Sequence, residues 1–245
     1  MLRQVLKIKM HQDIIKEMLN YKLNIRKRGL FMGTYILASM FPNGFPVEIA
    51  KSLQQIITKR NAFAFVASEF EKMQEVTDEY FAYFINMFHE QGIHFEKEYV
   101  VDGRMTFKQA QEAVEKADVI WLSGGNTPVE FKYLKKYGLD KVIKQHQGVI
   151  IGLSAGAINM AETAICTLSC QHEKQEVYSG LGCVDISVEP HFVRNQITDE
   201  VINLSKNYTM YGLCDNGMIV CKDNKKYFFG EVYKIEDGNV ERIGN

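Results

Sequence analysis

Two stretches decide the fold: Val119-Ile120-Trp121-Leu122-Ser123-Gly124-Gly125-Asn126, and Gly148-Val149-Ile150-Ile151-Gly152-Leu153-Ser154-Ala155-Gly156-Ala157. Each is a short apolar run that stops at a glycine turn, as a strand buried on both faces does. The second turn reads Gly-x-Ser-x-Gly, the nucleophile-elbow pattern. There a sharp strand-to-helix reversal lifts a serine hydroxyl above the sheet and frees the next backbone N–H for an oxyanion. By composition alone that pattern arises in on the order of one chain in ten of this length, so its setting matters more than its letters. A β-branched run leads into it, and Ala155-Gly156-Ala157-Ile158-Asn159-Met160-Ala161 follows as the small-residue start of a helix. Ser154 is the candidate nucleophile; a tight turn with a solvated serine is the plain alternative.

Outward from this centre, apolar periodicity alternates between strand and helix. Strands are predicted over residues 34–39, 62–67, 95–101, 119–122 and 148–152, with helices over 46–59, 77–91, 106–117 and 128–147 between them. That rhythm predicts a three-layer αβα architecture, a mainly parallel sheet flanked by helices. Beyond Ser154 the rhythm changes. A strand over 184–188 and a helix over 198–205 are followed by short strands over 211–214, 218–221, 227–229, 232–236 and 240–243. Asp223-Asn224 and Asp237-Gly238-Asn239 mark turns, so antiparallel C-terminal hairpins are expected to finish the sheet. Residues 1–28 form a separate helical extension with apolar Leu2, Leu6, Ile14 and Met18 and a cationic excess. Such a helix packs on the core or makes a homodimer contact, while residues 29–245 form one α/β domain.

With 245 residues, 46% of them hydrophobic, the chain can bury one substantial core. A formal charge of −1 gives no general attraction to nucleic acid or to an anionic membrane surface. No apolar run reaches spanning length and no signal peptide is evident, so a cytoplasmic protein is expected. The five cysteines are an odd count without a Cys-x-x-Cys pair, which speaks against a disulfide framework and a standard zinc site. Cys166, Cys170 and His172 lack a clear fourth ligand, and no cofactor is expected.

A serine nucleophile needs a base, and the base needs an orienting group. Of the six histidines, His11, His89, His94 and His146 belong to or follow helices at exposed ends, and His172 sits in a polar loop. His191 stands apart because Glu189-Pro190-His191-Phe192 ends a strand and the proline restrains the turn. A partly buried strand-end histidine without a catalytic part is the alternative. Among later carboxylates Asp215 is best placed, in Gly212-Leu213-Cys214-Asp215-Asn216-Gly217 between two apolar strands, although Asp-Asn-Gly is also an ordinary hairpin sequence. The chain order Ser, His, Asp argues against an esterase of the α/β-hydrolase fold, whose acid precedes its histidine.

Taken together, Gly124-Gly125-Asn126-Thr127, the Ser154 turn, Pro190-His191-Phe192 and the Asp215 segment resemble peptidase E, the α-aspartyl dipeptidases. These are serine peptidases with a class I glutamine amidotransferase-like fold. The resemblance covers about Gly29 to the C-terminus. It implies Ser154 as nucleophile, His191 as base and Asp215 as the acid that orients it. It further implies an oxyanion hole from the N–H groups of Gly125 and Ala155, with Asn126 lining the pocket for a small peptide. In characterised members a basic residue in a longer loop after the His-Phe pair holds the substrate's aspartate. Here Phe192-Val193-Arg194-Asn195-Gln196-Ile197 passes almost at once into helix, so strict aspartate preference is not expected. The competing class is a non-catalytic binding or regulatory protein of the same fold.

Overall fold

The computed structural model describes residues 33–244; the extension expected over residues 1–28 lies outside the described residues. From the N-terminal side the elements are β1 (Thr34–Ala38), α1 (Val47–Ile56), β2 (Ala62–Val66), α2 (Gln74–Glu90), β3 (Lys97–Val101), α3 (Phe107–Lys116) and β4 (Val119–Leu122). Then come α4 (Thr127–Lys136), α5 (Leu139–Gln145), β5 (Val149–Leu153) and α6 (Ala155–Met160). The helical run expected over 128–147 is broken at Gly138, whose φ of 70° lies in the left-handed region that glycine adopts without strain. The remainder comprises β6 (Thr163–Cys166), β7 (Glu176–Ser179), β8 (Ser187–Pro190), α7 (Asp199–Leu204), β9 (Met210–Leu213), β10 (Met218–Lys222), β11 (Lys225–Phe229), β12 (Val232–Glu236) and β13 (Asn239–Arg242).

A seven-stranded sheet runs in the order β11-β10-β1-β5-β4-β2-β3. Its five strands from β1 to β3 are parallel, and β10 and β11 close one edge antiparallel. Side chains alternate across it as the strand period demands. Tyr35, Leu37, Ile120, Leu122 and Ile150 pack with Val114, Leu134, Ile143 and Ala157 of α3 to α6. Ile36, Ala38, Val119, Trp121 and Ile151 pack with Ile49, Leu53, Phe84 and Phe88 of α1 and α2. Trp121 is fully buried, with its ring centroid 4.7 Å from that of Phe84 and 5.7 Å from that of Phe88. These are the expected three layers.

The C-terminal hairpins divide where one continuous sheet was expected. Only β10 and β11 finish the main sheet, whereas β12 and β13 join β9 and β8 in a separate four-stranded sheet of order β13-β12-β9-β8. Within it β8 and β9 are parallel, with Pro190 opposite Leu213. A further two-stranded ribbon, β6 with β7, was not expected from the sequence pattern.

Under this ribbon lies a buried carboxyl. Glu130 on α4 is fully buried; its Oε2 accepts from Asn159 Nδ2 at 2.7 Å, and its Oε1 has no partner among the described residues. Burial pushes its pKa up to about 8 against the opposing Asn159 hydrogen bond. A raised folded-state value gives a stability contribution that is fully present below the ordinary value of 4.5 and is lost as pH rises through about 8. Glu130→Gln is therefore expected to flatten the pH dependence of urea unfolding across that window. It should make the protein more stable at pH 8 by on the order of a few kcal/mol. An unchanged pH slope in the variant would place the acidic proton elsewhere.

Candidate active site

Five chain segments reach one end of the main sheet, and strand register explains why. Parallel pairing sets Ala38 of β1 beside Leu153 of β5, so the next residues, Ser39 and Ser154, leave the sheet side by side. The β4 turn is tied to the β5 turn by the Gly156 N–H, which donates to Ser123 O at 3.2 Å. The parallel β8–β9 pair does the same for the other half: Pro190 opposite Leu213 delivers His191 and the Asp215 loop to the same place. This is the carboxyl edge of the parallel strands, where open α/β sheets gather their sites.

Ser154 has φ 48° and ψ −105°, a sparsely populated conformation that the surroundings hold in place. Its own N–H donates to Ala38 O at 2.9 Å. A Cβ on Gly152 would stand 2.6 Å from the backbone of Gly156, and one on Gly156 would stand 2.4 Å from Leu122 O. The two glycines of the motif are thus required by close approach of β5, α6 and β4. His191 is also left-handed, with φ 54°. Its neighbour Phe192 is buried over Gly212, where a Cβ would sit 2.6 Å from the ring, and the Phe192 N–H donates to Leu213 O at 3.0 Å.

The side chains form a continuous hydrogen-bonded line. His191 Nε2 lies 3.1 Å from Ser154 Oγ and His191 Nδ1 lies 3.0 Å from Asp215 Oδ1. An ionised carboxylate only accepts, so Nδ1 carries the proton toward Asp215 and Nε2 is left to accept from the serine hydroxyl. The imidazole and the carboxylate are partly open to solvent, with side-chain exposures of 45% and 47%.

Ser39 is a member of this site that sequence reasoning missed. Fully buried, it donates from Oγ to Asp215 Oδ1 at 2.9 Å and accepts from the His191 N–H at 2.8 Å. Nothing local marks a lone serine after a strand. The Asp215 loop is further fixed by the Asn216 N–H, which donates to Met40 O at 2.7 Å. A second missed residue is Glu189, buried two positions before His191. It accepts from Thr167 Oγ1 at 2.7 Å and Ser169 Oγ at 2.6 Å, and burial pushes its pKa up to about 7.

Gly125 takes φ 146° and a Cβ there would collide with the Ser68 hydroxyl. Among the described residues neither its N–H nor that of Ala155, the first residue of α6, donates to another protein group. Asn126 does line the cavity beside Ser154, yet its Oδ1 is occupied as the cap of α4, accepting from the Val129 N–H at 3.1 Å. Its amide NH₂ makes no hydrogen bond among the described residues and is available to a ligand. Arg194 occupies the short 3₁₀ turn Arg194–Gln196 and opens onto a different cavity, with Asp215 and Glu231, on the other side of His191. Of the histidines set aside, His172 is held between Thr127 Oγ1 at 2.7 Å and Thr167 O at 3.0 Å rather than solvated in a loop. His146 is half-buried rather than exposed, because its ring packs back beside Gly148.

Peptidase family S51 matches residues 43–228 of the chain. A peptidase from an acI-B1 Actinobacterium superposes with a TM-score of 0.65 at 15% identity, covering 88% of this chain and 96% of its own. A peptidase E-type protein from Listeria monocytogenes EGD-e superposes with a TM-score of 0.58 at 18% identity, covering 80% of this chain and 97% of its own. No curated protein matches. The three-layer fold and the family match define a serine-type peptidase. The chain belongs to peptidase family S51. Among the described residues no helix is long and apolar enough to cross a membrane.

Proposed function

We propose that this peptidase is a dipeptidase E-like enzyme that cleaves short peptides through a Ser154-His191-Asp215 triad and an acyl-enzyme. The single observation that carries the reading is the unbroken line from Ser154 Oγ to His191 Nε2 at 3.1 Å and from His191 Nδ1 to Asp215 Oδ1 at 3.0 Å. In the first half-reaction Ser154 Oγ bonds to the peptide carbonyl carbon while its proton passes to His191 Nε2. The resulting oxyanion is received by the N–H groups of Gly125 and Ala155. Collapse breaks the C–N bond, and the proton on Nε2 goes to the leaving amine. Water then repeats the sequence on the ester, giving its proton to Nε2 and its hydroxyl to the acyl carbon, and Ser154 recovers its proton. Asp215 holds the imidazole in the required tautomer throughout. A reduced, cytoplasmic setting is part of the proposal. It rests on the cysteines, none of which is joined in a disulfide among the described residues.

An activated ester of a free amino acid tests the acyl-enzyme directly. A burst of one equivalent of leaving group per enzyme, ahead of slower turnover, is expected; turnover with no covalent intermediate under any condition would contradict the scheme. Ser39 enters as a positioning residue. Ser39→Ala removes one hydrogen bond to the carboxylate and one to the His191 backbone, and is expected to lower kcat about tenfold with KM nearly unchanged. Ser39→Thr should restore part of the loss, whereas a purely structural role would lower the melting temperature without changing kcat per folded molecule.

The reading of the fold as a non-catalytic binding protein finds no support in the site. Ser154, His191 and Asp215 are chemically competent and within hydrogen-bond reach of one another.

A further inference from the structure

The cavity that contains Ser154 has a volume of about 500 Å³. Its wall is apolar: Phe65 and Leu153 from the sheet meet Phe84, Tyr80, Val76 and Met73 from α2 and the turn before it. Phe65, Phe84 and Leu153 are buried in the core, while Met73 and Tyr80 are 47% and 51% exposed and form the rim. Such solvent-facing apolar side chains beside a nucleophile mark a surface that a ligand covers.

Charge points the same way. Among the described residues that line this cavity none is a lysine or arginine, and the one carboxylate is Glu69. Glu69 accepts the N–H groups of Glu71 at 2.9 Å and Lys72 at 2.6 Å. Burial opposes its ionisation, but those N–H groups outweigh it and hold the carboxyl below its ordinary range. Arg194, the cation nearest in sequence to His191, faces the other cavity and shares it with Asp215 and Glu231. An acidic side chain entering beside Ser154 would lose its hydration, find no cation among the described lining residues and meet Glu69.

Ser154 and Gly125, the nucleophile and an oxyanion donor of the proposed mechanism, both line this cavity, which places it beside the residue whose carbonyl carbon would be bonded to Ser154. His191, which hands its proton to the departing amine, lines both this cavity and the second one, whereas Ser154 and Gly125 line only the first of the two.

We propose that the Phe65–Phe84–Val76–Tyr80 cavity is the acyl pocket of this peptidase and selects a large apolar side chain, of the leucine, methionine or phenylalanine class, on the residue whose carbonyl is cleaved. This rests on Ser154 being the nucleophile. One methylene in an apolar pocket changes kcat/KM by about tenfold or more, so Phe-Leu and Leu-Leu should be cleaved at least ~100-fold better than Asp-Leu.

The test uses the full-length protein, first titrated with a fluorophosphonate to count reactive Ser154 and then assayed with Phe-Leu, Leu-Leu, Ala-Leu and Asp-Leu. Val76→Arg places a cation on the wall at a half-exposed helix position. It is expected to lower kcat/KM for Phe-Leu at least tenfold and to raise it for Asp-Leu. Tyr80→Ala, at the rim, should raise KM for Phe-Leu several-fold and serves if Val76→Arg does not fold. A labelled, active enzyme that prefers Asp-Leu or Ala-Leu to Phe-Leu would overturn the acyl-pocket assignment and leave the hydrolase reading standing. An unlabelled Ser154 with no cleavage of any dipeptide would overturn both.

Discussion

Replacing Ser154 by alanine is expected to lower kcat for peptide hydrolysis on the order of 10⁴-fold or more, and His191→Ala should do the same. In the proposed mechanism the two side chains act as one unit: the hydroxyl is nucleophilic only while Nε2, 3.1 Å away, can take its proton. The double variant should therefore lie close to either single one rather than at the product of the two losses. Neither change opens the core, since the Ser154 side chain is only half-buried and His191 is exposed, so both variants should melt near the parent. Steady-state kinetics on the three variants decides the matter: wild-type turnover in His191→Ala would mean that another group serves as base.

Asp215→Asn should have the next largest effect, on the order of 10²- to 10⁴-fold in kcat with the fold intact. An asparagine can present its NH₂ to Nδ1, which inverts the tautomer and puts a proton on Nε2, where an acceptor is needed. Two local facts bear on the size of the loss. Solvent reaches the carboxylate, with 47% of the side chain exposed, so water can partly replace it and the lower end of the range is expected. Ser39 loses its acceptor when the NH₂ takes the Oδ1 position, but it still accepts the His191 N–H at 2.8 Å and so keeps the ends of β1 and β8 together. Steady-state kinetics on the variant, with a melting curve to confirm the fold, measures the loss. An Asn variant with parental kcat would remove Asp215 from the triad.

The central sheet was legible because burial on both faces leaves an unmistakable apolar run, as in Val119–Leu122 and Val149–Leu153. Ser154 was legible for a related reason: Gly152 and Gly156 record contacts with Ala157, Leu122 and Met160 that no side chain could share. Pairing partners were less so. The strand expected over 184–188 begins instead at Ser187, and Val184 makes only an isolated bridge with Ala161. Its parallel partner β9 lies beyond α7, and no local pattern specifies a contact made at that separation. The ribbon of β6 and β7 escaped notice because Thr163–Cys166 and Glu176–Ser179 are only four residues each and β7 is half-exposed. Ser39 and the apolar cavity were invisible for the deeper reason that both are assembled from segments far apart in the chain. Arg194, the cation weighed from the sequence, lines a different cavity from Ser154.

Fluorophosphonate labelling followed by mass spectrometry of the digested protein tests the central claim most directly, because only a serine with a working base and oxyanion site reacts. One phosphonyl group per chain, located on Ser154, abolished in Ser154→Ala and slowed at least ~100-fold in His191→Ala, is the result the account predicts. An unmodified Ser154 in folded protein, or equal labelling with and without His191, would contradict it.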